Sequence, residues 1–161
     1  MKFEKFVKQL GGSGVIQTRE NGEKWLASAT SMLKIPDQMG GIIAENIVPM
    51  PTNIEAILRR EPTGTPAFLS KAILPCGDSS IKDCIRVFAA NENPNKLKLP
   101  ISNDDYGLID FRHDQVEMLT NYDLETEEMS VVALLVKRPY INDDAELIGV
   151  IFPMADYVDN I

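Results

Sequence analysis

The sequence predicts an α+β fold, a mostly antiparallel β-sheet domain with a short N-terminal amphipathic helix and one further helix near 52–61. Three observations carry this expectation. Segments rich in Val, Ile, Leu and Phe recur between turn signals from residue 67 onward, the pattern of strands in an antiparallel sheet. Two stretches, at the N-terminus and after Pro51, instead space their apolar residues for one helical face. The chain has 161 residues, 44% hydrophobic and 25% charged, which fits one globular domain that folds without a staple.

The first helix rests on Phe3, Phe6, Val7 and Leu10, spaced i, i+3, i+4, i+7 on one stripe, with Lys2, Lys5 and Lys8 opposite. Gly11-Gly12-Ser13-Gly14 ends it and reads as a flexible tether. The expected division is therefore 1–14, a helical arm and tether, and 15–161, a single α+β domain. A helix this short is marginal alone, so its stripe must dock, either on its own domain or on a neighbouring subunit.

A hairpin follows. Val15-Ile16-Gln17-Thr18 and Lys24-Trp25-Leu26-Ala27 flank Asn21-Gly22, a pair suited to tight reversal. Trp25 reads as a core anchor. Residues 30–51 read as irregular, because Pro36, Gly40-Gly41, Pro49 and Pro51 interrupt short apolar pieces such as Ile42-Ile43 and Ile47-Val48. Thr52 and Glu55 form a capping-box pattern. Ile54, Ile57 and Leu58 give that helix its stripe, and Arg59-Arg60, Pro62 and Gly64 close it. Strands are expected at 67–74, 83–90, 115–122, 130–137 and 146–152, with a loop at 91–99 and a solvated turn at 123–128. The strand at 130–137 is apolar on both faces, so it should be covered on both.

Charge is unevenly distributed. Residues 1–80 carry nine Lys/Arg against eight Asp/Glu, a net of +1, while residues 81–161 carry seven against sixteen, a net of −9. An acidic chain with no basic cluster beyond Arg59-Arg60 argues against direct nucleic-acid binding and against anionic membranes. The longest apolar runs are six residues, 131–136 and 147–152, too short to span a bilayer. Met1 to Leu10 alternates charged and apolar residues, unlike a signal sequence, so synthesis in the cytoplasm is expected. Cys76 and Cys84 are expected to be reduced thiols.

Chemical motifs are few. His113 is the one histidine. It has Asp110 and Asp114 nearby and could serve Cys76 or Cys84 in a Cys–His hydrolase, but no Gly-rich elbow surrounds either cysteine. Asn103-Asp104-Asp105 and Asn142-Asp143-Asp144 offer hard oxygens without the spacing of a calcium loop, and Asx turns explain them more simply. The glycine run at 11–14 lacks the Lys-Ser/Thr ending of a phosphate loop, and two cysteines with one distant histidine fall short of a zinc site. No catalytic, cofactor-binding or metal residue is therefore assigned, and no cofactor is expected.

The runs 19–27 (RENGEKWLA), 80–87 (SIKDCIRV), 101–106 (ISNDDY) and 147–153 (LIGVIFP) resemble small proteins encoded among the structural genes of tailed bacteriophages. The resemblance implies a virion accessory protein, one that decorates or cements a capsid shell, with no active site. The expected function is thus a non-enzymatic structural protein whose partner is a protein shell or further copies of itself, located in the virion. Its expected contacts are Phe3, Phe6, Val7 and Leu10 of the arm and Ile42 and Ile43 of the irregular segment. An acidic mimic of nucleic acid that inhibits a host enzyme is the alternative, and the Cys/His hydrolase is a second. On the first reading, removing residues 1–10 should abolish assembly yet leave a folded domain.

Overall fold

The computed structural model describes residues 1–39, 47–60, 62–75, 84–140 and 143–154. The elements run α1 (Phe3–Leu10), β1 (Val15–Thr18), β2 (Lys24–Ala27), β3 (Ser31–Lys34), a 3-10 turn (Asp37–Met39), β4 (Ile47–Pro49), α2 (Thr52–Arg59) and β5 (Thr65–Pro75). They continue with β6 (Cys84–Ala90), β7 (Lys98–Ser102), α3 (Asn103–Tyr106), β8 (Gln115–Asp123), β9 (Glu128–Tyr140) and β10 (Asp143–Ile151). The strands form one 10-stranded sheet in the order β4-β1-β2-β3-β10-β9-β8-β5-β6-β7. The β1–β4 pair is parallel and the other pairs are antiparallel. The fold is α+β, as the residue pattern predicts.

The sheet is long enough that it must curl to bury its apolar face. The bend is at β5. Thr65 and Pro66 pair with β8, and then Ala67 to Pro75 pair with β6, with a register shift between Leu69 and Ile73. This hand-over carries β6 and β7 across the face of β8 and β9. Phe88, Leu99 and Ile101 thereby pack against Met118, Leu134 and Val136 in one core.

β9 is covered on both faces, as its unbroken apolar run predicts. Leu134 and Val136 enter the core just described, while Ala133 and Leu135 face a second core with Trp25, Met32, Met50 and Leu58. Strict alternation would place Val131 with Ala133 and Val132 with Leu134. Instead a register shift sets Leu119 opposite Ala133 and Thr120 opposite Val131. The bulge moves Val131 to the first core and Val132 to the second.

The β1–β2 reversal closes as expected. Gly22 takes φ +89°, Arg19 N–H donates to the Glu23 carbonyl, and Asn21 Oδ1 accepts from Glu23 N–H. Trp25 is buried at 1% exposure. Elsewhere local signals mislead. Ser31–Lys34 is a strand inside the segment read as irregular, and Lys98–Ser102 is a strand despite Pro100. Pro100 is tolerated because β7 is the last strand of the sheet, where a missing N–H costs least. The capping box at α2 does not form: Pro51 occupies the N-cap position without a side-chain cap. Glu55 turns inward toward Arg19 Nε, 3.4 Å away.

Candidate interaction surface

The α1 stripe is consumed by the fold. Phe3 and Phe6 are 8% and 2% exposed and pack with Ile16, Leu26, Leu33, Ile35 and Leu108, while Val7 and Leu10 lie half-buried against the same cluster. Gly11 caps the helix in the left-handed region (φ +54°), its N–H donating to the Val7 carbonyl. Ser13 N–H and Oγ–H both donate to the Leu10 carbonyl. The glycine run is thus a bonded reversal, and residues 1–14 share a core with residues 15–35. Phe3 and Phe6 have no surface left to offer a partner in this arrangement. Ile42 and Ile43 lie outside the described residues.

Two clefts flank this region. One, of about 460 Å³, is lined by Phe3, Lys34, Arg138, Tyr140, Glu146 and Ile148 among others. Three of its polar groups, Lys34, Tyr140 and Glu146, bond to one another. Lys34 Nζ reaches Glu146 Oε1 at 2.5 Å and Glu23 Oε1 at 3.1 Å, and Tyr140 O–H donates to Glu146 Oε2 at 2.9 Å. The hydrogen bond from Lys34 holds the Glu146 carboxyl below its ordinary pKa. Burial would lower the Lys34 ammonium, but Glu146 and Glu23 hold it above its ordinary value. A carboxylate with a depressed pKa stabilises the fold above its unfolded pKa and loses that contribution as pH falls through the folded value. Glu146→Gln should therefore cost up to about 1 kcal/mol at neutral pH, since the groups are partly exposed. The difference from wild type should fade below about pH 4, read from urea midpoints across pH. A pH-independent difference would show that the ion pair is not its source.

The second cleft, of about 560 Å³, lies where β4 meets α2 and is lined by Thr18, Ile47, Val48, Met50, Glu55 and Arg59 among others. Ile47 is 51% and Val48 41% exposed. β4 ends the strand order, and among the described residues no strand covers its outer edge. An apolar edge strand is a template for another chain.

The other candidate groups are structural or solvated. His113 is exposed, its Nδ1 2.9 Å from Asp110 Oδ2. That contact holds the Asp110 carboxyl below its ordinary pKa. Asp114 is engaged elsewhere: its buried carboxylate takes two bonds from Arg138 and also meets the Met1 amine and Asp110 N–H. Cys76 and the Cys84 side chain lie outside what the structure describes, so the Cys–His pairing falls there too. Among the described residues no cluster of His, Cys, Asp or Glu could hold a metal ion, and no helix is long and apolar enough to cross a membrane.

The acidic turns divide. Asp123–Glu128 is a solvated reversal in which Asp123 Oδ1 accepts from Glu125 and Thr126 N–H. Asp105 is instead buried, accepting from Thr30 Oγ1 and Ser31 Oγ, each at 2.8 Å. Its neighbour Asp104 is exposed. Sequence spacing does not separate the two, because only tertiary contact brings the 28–31 turn to α3. Searches against protein-family models, curated proteins and solved structures yield no match for this chain.

Proposed function

We propose that this chain is a non-enzymatic component of a protein assembly, of the kind that decorates or cements a bacteriophage capsid, located in the virion. The observation that supports the reading is the β4 edge, where two exposed apolar side chains stand beside an open cleft at the end of the sheet. On this reading the contact surface is the 47–50 segment in place of the arm at 1–10. A strand or loop of the shell protein would bind there, its main chain extending the sheet and an apolar side chain entering the cleft.

The test is co-sedimentation with particles of the phage that carries the gene. Ile47→Asp with Val48→Asp, both at exposed positions, should keep the fold by circular dichroism and lose pelleting at least about tenfold. Undiminished pelleting of that variant would remove β4 from the interface.

A further inference from the structure

Two surfaces outside the β4 edge complement each other in charge, and both expose large apolar side chains. The first is the end of the β8–β9 hairpin. Residues 121–130 are all exposed, so this end of the hairpin projects beyond the core. Tyr122 and Met129 are opposite each other in register, and with Leu124 at the turn they are 51%, 50% and 84% exposed. Asp123, Glu125, Glu127 and Glu128 surround them, and no Lys or Arg occurs between residues 113 and 136. This is an apolar knob with an acidic rim.

The second surface is aromatic and basic. Phe111 is 49% exposed and lies 5.4 Å from the Tyr106 ring and 6.4 Å from the buried Phe88 ring. The Arg86 guanidinium sits 5.0 Å from the Tyr106 centroid, Lys5 Nζ donates to the Gly107 carbonyl beside it, and Arg112 is exposed next to Phe111. Asp104 and Asp110 also border the patch, but Asp110 is engaged by His113. Three cations against these two acids leave the patch positive.

We infer that the acidic knob of one copy docks on the aromatic–basic patch of another. The two cannot meet within one chain, because Phe111 precedes the start of β8 and the knob lies at its far end. The nine residues of β8 span about 26 Å. A symmetric knob-to-knob contact is opposed by four acids on each side. Each contact joins unlike surfaces, so it either closes reciprocally as a two-fold dimer or repeats head to tail into a ring or a filament. Few side chains meet, so each contact is at the weak end, with a dissociation constant on the order of 100 µM.

Sedimentation of the full chain up to about 1 mM tests this. The mean mass should rise with concentration, and the association should weaken roughly tenfold between about 0.05 and 0.5 M salt. Leu124→Asp and Arg112→Glu should each be monomeric and folded. Their equimolar mixture should form dimers and stop there, because Leu124→Asp keeps a patch and Arg112→Glu keeps a knob. A wild-type monomer at the highest concentration, or association unaffected by either variant, would overturn the inference. So would a patch that binds an oligonucleotide while the chain stays monomeric. Particle pelleting by such a monomer would leave the proposed function standing.

Discussion

Removing residues 1–10 should unfold this protein, or leave it aggregated, and not release a folded domain that has lost an arm. Phe3 and Phe6 are buried in the cluster that also holds Ile16, Leu26, Leu33, Ile35 and Leu108. Full burial of one such side chain is worth about 1.5–3 kcal/mol. The deletion removes two, together with the half-buried Met1, Val7 and Leu10, and exposes their partners to water. A loss of at least about 5 kcal/mol is comparable to the total stability of many domains. Phe6→Ala alone should cost about 3–5 kcal/mol, measured by urea denaturation. A truncated chain with wild-type circular dichroism and midpoint would mean that α1 is a separable arm.

Asp105→Ala should be the most damaging single polar substitution described. Its carboxylate accepts from the hydroxyls of Thr30 and Ser31, and Ser31 is 0% exposed. The same turn holds the end of β10, since the Thr30 carbonyl accepts from Phe152 N–H. Removing the acceptor breaks both bonds and unties α3 from the β2–β3 reversal, although Ser31 Oγ keeps Ser28 Oγ at 3.0 Å. Hydrogen bonds to a charged partner contribute about 1.5–3 kcal/mol each, so losing two at the lower end gives an expected loss of about 3 kcal/mol. Asp105→Asn keeps one acceptor oxygen and should fall between Ala and wild type. Equal midpoints for all three proteins would show that the network adds nothing.

The elements most legible in the sequence were those whose periodicity and turn chemistry agree. The α1 stripe, the Asn21-Gly22 hairpin and the doubly apolar β9 all appear where their residues place them. β3 and β7 were obscured because each is short and lies against a proline, and their strand character comes from pairing with β2, β10 and β6. The candidate contact surface was only partly legible. A stripe at helical spacing says that a helix must dock, and it carries no information about whether the dock lies in the same chain. Ile47-Val48 was visible as an apolar piece, but its exposure depends on β4 being last in the strand order. The solvated turn read at 123–128 holds, since those residues are all exposed. The Asx turn read at 103–105 is instead the helical turn α3, capped by Ser102, with Asp105 buried against Thr30 and Ser31, which are distant in sequence.

The proposed role in a bacteriophage assembly is tested most directly by quantitative mass spectrometry of virus particles purified from a culture that expresses the chain. The chain should be present at a fixed number of copies per particle, set by the symmetry of the shell. Particles free of the chain, with all of it recovered in the soluble fraction, would contradict it.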